Sequence, residues 1–162
     1  MTKTAKLFLA LVPVCALAFA YAATGQQHAH LLPEGHKRQS SPKDAKVYIV
    51  NLKDGQTVGR KVKVIFGLTG MGIVPAGITA SGQPLPDTGH HHLLLNVDKL
   101  PPMDQPLAMD QPHKYLHFGK GQTETVLELP PGKHTLQLLF ADYAHVPHDP
   151  PVISEKITIN VQ

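Results

Sequence analysis

The sequence predicts an all-β domain, an immunoglobulin-like antiparallel β-sandwich of about seven strands, preceded by a signal peptide and a disordered leader. Three observations carry that expectation. From residue 46 onward, short β-branched and aromatic runs alternate with turns rich in Gly, Pro and Asp. Apolar residues within those runs recur at every second position, and nothing after the first 22 residues repeats with a helical period. Short, evenly punctuated strands suit two packed antiparallel sheets, because each strand then buries one of its two faces.

The chain opens with a secretory signal over residues 1–22. Lys3 and Lys6 make a basic start, residues 7–20 are almost unbroken apolar, and small residues at Ala18, Ala20 and Ala22 fit cleavage after Ala22. The run is short for a membrane span and contains Pro13, so no span is expected once the signal is removed. Cys15, the single cysteine, leaves with it, and the mature protein has neither a disulfide nor a thiolate ligand. The expected address is periplasmic or secreted. Loss of Lys3 and Lys6 takes the basic residues from 15 to 13 against 12 acidic ones. A charge so close to balance is no footprint for nucleic acid or an anionic membrane. Residues 23–45 lack an apolar period and are rich in Gln, Ser, Pro and charge, which reads as a disordered leader. The histidines in it, His28, His30 and His36, read as part of a polar spacer.

The domain proper is expected over residues 46–162. A first strand at 47–50 is closed by the turn Lys53-Asp54-Gly55, and a second at 61–68 places Val62, Val64, Phe66 and Leu68 on one face. A long Gly- and Pro-rich loop then leads into GHHHLLLNV, residues 89–97. Strand alternation puts His91, Leu93, Leu95 and Val97 toward the core, and His90, His92, Leu94 and Asn96 on the opposite face. After a proline-rich loop over 100–112, with its MDQP duplication, come strands at 114–118, 124–129, 134–141 and 152–161. In PPGKHTLQLLF, His134 occupies the place of a corner tyrosine, so its expected job is a backbone hydrogen bond at the turn before its strand.

All 11 histidines survive processing, and they are the compositional anomaly of the chain. In a sandwich of this type, the loops after the second, fourth and sixth strands gather at one end. His90 and His92 close the first of these loops, His117 borders the next, and His145 and His148 lie in the last. These five are the candidate metal ligands, with His91 and Met71 as further candidates and Asp142 and Asp149 as carboxylates that orient imidazoles from behind. Only His113 and His134 fall at the other end, where Met103 and Met109 read as parts of a turn-forming repeat. Imidazole without thiolate, outside the cytoplasm, suits copper or zinc. No HExxH, EF-hand spacing or nucleophile elbow occurs, so no catalytic residue is assigned. The function expected is therefore an exported binding module for a copper or zinc ion. The alternative is a metal-free domain that uses the same loop end to bind an envelope protein, and a metal-dependent hydrolase ranks last.

The segments GMGIVPAG, TGHHHLL, HFGKGQTE, PPGKHTLQL and HVPHDPPVISE occur in this order from about Val64 to the C-terminus. With them the chain resembles a bacterial exported family catalogued as domain of unknown function 4399. The resemblance implies a small exported domain and supplies no catalytic residues.

Overall fold

Val62, Val64 and Phe66 are buried, Lys61 and Lys63 are exposed and Ile65 is only partly buried, the alternation of a strand with one face in a core. The computed structural model describes residues 35–162; the signal segment, Cys15, His28 and His30 lie outside the described residues. The strands are β1 (Lys46–Ile49), β2 (Thr57–Val58), β3 (Lys61–Thr69), β4 (Gly72–Ile73), β5 (Thr79–Ala80) and β6 (Gln83–Pro84). They continue with β7 (Thr88–Leu95), β8 (Tyr115–His117), β9 (Glu124–Glu128), β10 (Gly132–Ala141), β11 (Pro147–Ile153) and β12 (Ile157–Val161).

One sheet runs β1-β3-β9, antiparallel throughout. A second, larger sheet runs β2-β12-β10-β7-β4, with β11 paired to β10 and β8 paired to β7, and β5 and β6 form a separate two-stranded sheet. Between the first two sheets lies the main core, in which Val47, Val64 and Phe66 meet Leu93, Leu136, Leu138, Phe140 and Ile159. The all-β sandwich expected from the sequence is the observed architecture. No helix among the described residues is long and apolar enough to cross a membrane.

Three departures from the expected strand plan bear on function. The strand expected at 114–118 is β8, and it pairs with β7 in the larger sheet, with His92 opposite His117. The strand expected at 152–161 divides into the end of β11 and a separate β12. Ser154 makes the break: it exchanges backbone and side-chain bonds with Leu138, whose amide donates to Ser154 Oγ at 2.8 Å. Third, the 100–112 loop is not confined to the far end. It lies over the outer face of the larger sheet, where Leu107, Met103 and Met109 join Leu94, Val97, Tyr115, Leu139 and Ala141 in a second apolar cluster. β7 and β10 are thus buried on both faces, which is why their sequences, LLL and LQLLFA, carry more apolar residues than alternation requires.

Residues 36–41, part of the leader in the sequence, run along β11. The β10–β11 register jumps between Ala141↔Pro147 and Phe140↔Val152, leaving residues 148–151 without partners on β10. Pro150 and Pro151 have no N–H to give a ladder. The leader serves this stretch instead: Asp149 N donates to Gln39 O at 2.8 Å, and Ser41 N donates to Asp149 O at 3.0 Å. Arg38 adds bonds to the carbonyls of Pro147 and His148 and an ion pair with Asp149 at 3.2 Å.

Candidate metal centre

Alternation along β7 separates the three consecutive histidines. His91 points into the main core, its ring 5.2 Å from Phe66 and 5.1 Å from Phe140. His90 and His92 point to the outer face, with ring centroids 4.7 Å apart. Cross-strand pairing then adds a third imidazole, because β8 sets His117 directly opposite His92, and the two rings stack at 5.2 Å. Gly119 keeps room for that ring: a Cβ built there would lie 2.2 Å from both Cε1 and Nε2 of His117.

The fourth imidazole, His145, comes from the turn between β10 and β11. Asp142 builds this turn. Its Oδ1 accepts the amides of Ala144 at 2.8 Å and Val146 at 3.0 Å, and its carbonyl accepts the His145 amide at 3.0 Å. His145 itself adopts φ 68, a left-handed conformation that non-glycine residues take only when their surroundings impose it. The Leu107 amide, from the covering loop, donates to the His145 carbonyl at 3.0 Å and holds the turn from outside.

The four rings surround one point. His90 lies 5.0 Å from both His117 and His145, His117 lies 4.8 Å from His145, and the longest pair, His92 with His145, spans 5.8 Å. One nitrogen from each ring lies within 4.8 Å of the other three. The Nε2 atoms of His117 and His145 are 3.2 Å apart. A tetrahedral site with metal–nitrogen bonds of about 2.0–2.1 Å has edges of about 3.3 Å.

The electrostatics favour neutral rings. Burial pushes the His90 imidazole down to about 3, helped by the neighbouring His145 and His117 rings. Burial likewise holds His92 well below the usual histidine value. Neither ring of His90 or His92 has a hydrogen-bond partner at either nitrogen. A buried polar atom left unpaired costs on the order of 1–3 kcal/mol, so a fold that keeps four such nitrogens together has a cost to offset.

The remaining candidates stand elsewhere. His148 lies on the inner side, stacked 6.0 Å from Phe140, with Nε2 donating to the Thr88 carbonyl at 3.1 Å. Its ring is lowered by burial, partly offset by Asp142 and by the Phe140 and Thr88 carbonyls. His91 is pushed down to about 4 by burial in the core, with a weaker opposing pull from the Gln122 backbone. Met71 packs against the main core cluster. Asp149 is exposed and pairs with Arg38, so it orients the leader rather than an imidazole of the centre. His134 donates to the Pro130 carbonyl at 2.9 Å and lies 3.0 Å from Asn96 Nδ2, a corner bond of the kind its position predicted.

Sequence reasoning missed His36. Its Nε2 stands 3.2 Å from the buried Oδ2 of Asp142, off the line of a good hydrogen bond, and its Nδ1 is 3.3 Å from Tyr143 Oη. No local pattern marks it, because its partner lies more than 100 residues away.

The family description "Domain of unknown function (DUF4399)" matches residues 64–162, more than half of the chain and the whole of the four-histidine cluster. The chain belongs to that family. No curated protein matches it significantly. Among solved structures, an endo-beta-1,4-mannanase from Thermotoga petrophila is 15% identical, with a TM-score of 0.38 over 74% of this chain and 20% of that one. The chain thus spans about a fifth of the mannanase's length. The family domain contains β7, β8 and the β10–β11 turn, and hence every residue of the centre.

Proposed function

We propose that this domain binds a single copper or zinc ion through His90, His92, His117 and His145 and acts outside the cytoplasm, where the leading segment 1–22 directs it. One observation carries the reading: four imidazoles from three distant segments offer nitrogens within 4.8 Å of one another, and the nitrogens of two of those rings, His90 and His92, have no hydrogen-bond partner. An all-nitrogen set without thiolate or carboxylate suits zinc in tetrahedral geometry, and copper stands highest in affinity for nitrogen donors. The buried rings are already neutral, the form that ligates, so binding by these two has little proton to displace.

Titration of the mature protein, purified without a histidine tag, tests the proposal. One equivalent of Zn(II) or Cu(II) should bind. His90→Ala or His92→Ala should weaken uptake by more than about 100-fold, since loss even of a group that merely supports a ligand costs about 10–100-fold. His134→Ala should leave uptake unchanged. No uptake by the wild-type protein, or equal loss in all three variants, ends the proposal.

A further inference from the structure

The four rings are unequally exposed. His90 and His92 are fully buried and His145 is 7% exposed, whereas His117 is exposed to solvent. This follows from topology. β7 is covered on both faces, and the turn carrying His145 is tied down by Asp142 and Leu107, but β8 is a three-residue strand on the open edge beside β7. The backbone around His117 is nonetheless anchored. Tyr115 and Phe118 are buried on either side of it, and the Phe118 amide donates to the His91 carbonyl at 3.1 Å. Of the four rings, His117 is therefore the one that solvent reaches, and Gly119 lies so close against it that a Cβ there would stand 2.2 Å from its Cε1 and Nε2.

We propose that His117 is the exchangeable ligand of the centre, and that the ion enters and leaves through the face His117 occupies by direct substitution with an incoming nitrogen donor. This rests on the reading of the four histidines as a metal centre. In the step, one bond from the ion to a donor nitrogen forms as the bond to His117 breaks. The ion keeps its charge and coordination number, and the other three ligands stay in place until further donors arrive. The acceptor is identified by its chemistry: a group offering an imidazole or amine nitrogen at a surface that can reach the β8 edge. A centre built this way suits delivery of the ion rather than permanent structural retention.

The experiment follows release of Zn(II) and Cu(II) from the loaded full-length mature protein, with free L-histidine as the competing donor. The expected release rate rises in proportion to L-histidine concentration. His117→Ala should still bind one ion but release it about 10-fold faster or more, by analogy with the usual cost of weakening a metal's surroundings. Gly119→Ala should do the same, because its new methyl group would displace the His117 ring. A release rate independent of L-histidine concentration, or an His117→Ala protein that retains no ion, overturns the exchange proposal while leaving wild-type binding intact. Absence of any uptake by the wild-type protein overturns the metal reading and the exchange proposal together.

Discussion

His90, His91 and His92 are chemically identical in sequence, yet the strand assigns them different work. The middle ring packs between Phe66 and Phe140, while the outer two face His117 and His145. All three are held neutral by burial, and this sets a pH dependence with a definite sign. His90 and His91 take up a proton at about 3 and about 4 in the folded protein, against 6.5 in the unfolded chain. As pH falls below 6.5 the unfolded chain binds protons first, so the ion-free protein loses stability from there down through the folded values. At pH 5 each ring should cost about 2 kcal/mol relative to neutral pH. Urea unfolding of the ion-free protein between pH 7 and 4.5 should show a midpoint that falls steadily; a flat profile would mean these rings are protonated in the fold. The alternation that separates the three is legible from nine residues of sequence. That His91 would be enclosed by aromatic rings is not, because Phe66 and Phe140 arrive from other strands.

At the level of elements, the turn between β10 and β11 decides whether the fourth ligand is delivered. Its carboxylate, Asp142, is fully buried and accepts two amides of its own turn, which is what allows His145 to keep a left-handed backbone. Hydrogen bonds to a charged acceptor contribute about 1.5–3 kcal/mol each. Asp142→Ala should therefore destabilise the ion-free protein by roughly 3 kcal/mol. It should also lower metal affinity about 10-fold, the usual size of an effect transmitted through a ligand's support. Denaturant titration and metal titration on the same protein separate the two effects. The sequence places Asp142 near the histidines and suggests that it orients them directly. In the structure its Oδ1 shapes the backbone of the turn that carries His145, and its Oδ2 lies 3.2 Å from the His36 ring. β8 teaches a similar lesson: a short run, KYLHF, is visibly a strand, but its choice of β7 as partner depends on the outer apolar cluster that Tyr115 joins.

Across the whole molecule, the leader and the domain are not independent. Residues 36–41 complete the hydrogen bonding of the proline-rich stretch of β11, and His36 reaches the carboxylate that builds the His145 turn. Arg38 holds this arrangement through two carbonyls and Asp149. Arg38→Ala should cost about 1–3 kcal/mol, the range for charged hydrogen bonds with partial exposure of the pair. Amide exchange gives a local reading: the Asp149 amide, bonded to the Gln39 carbonyl, should exchange markedly faster in the variant, while amides in the middle of β10 keep their protection. Equal exchange at Asp149 in both proteins would show that the leader docks without Arg38.

The sequence alone determined the class of fold, the positions of the longer strands β3, β7 and β10 and the segregation of His90 and His92 from His91, because each depends on a period of two within a few residues. It also marked His117 and His145 as residues that chain folding brings to the same end. Only the tertiary structure decided that these four rings share one point, that His148 bonds Thr88 instead, and that of the four it is His117 that faces solvent. Those outcomes turn on strand pairing, register and which faces are covered. They are set by contacts between segments tens of residues apart, whose energies no local pattern contains.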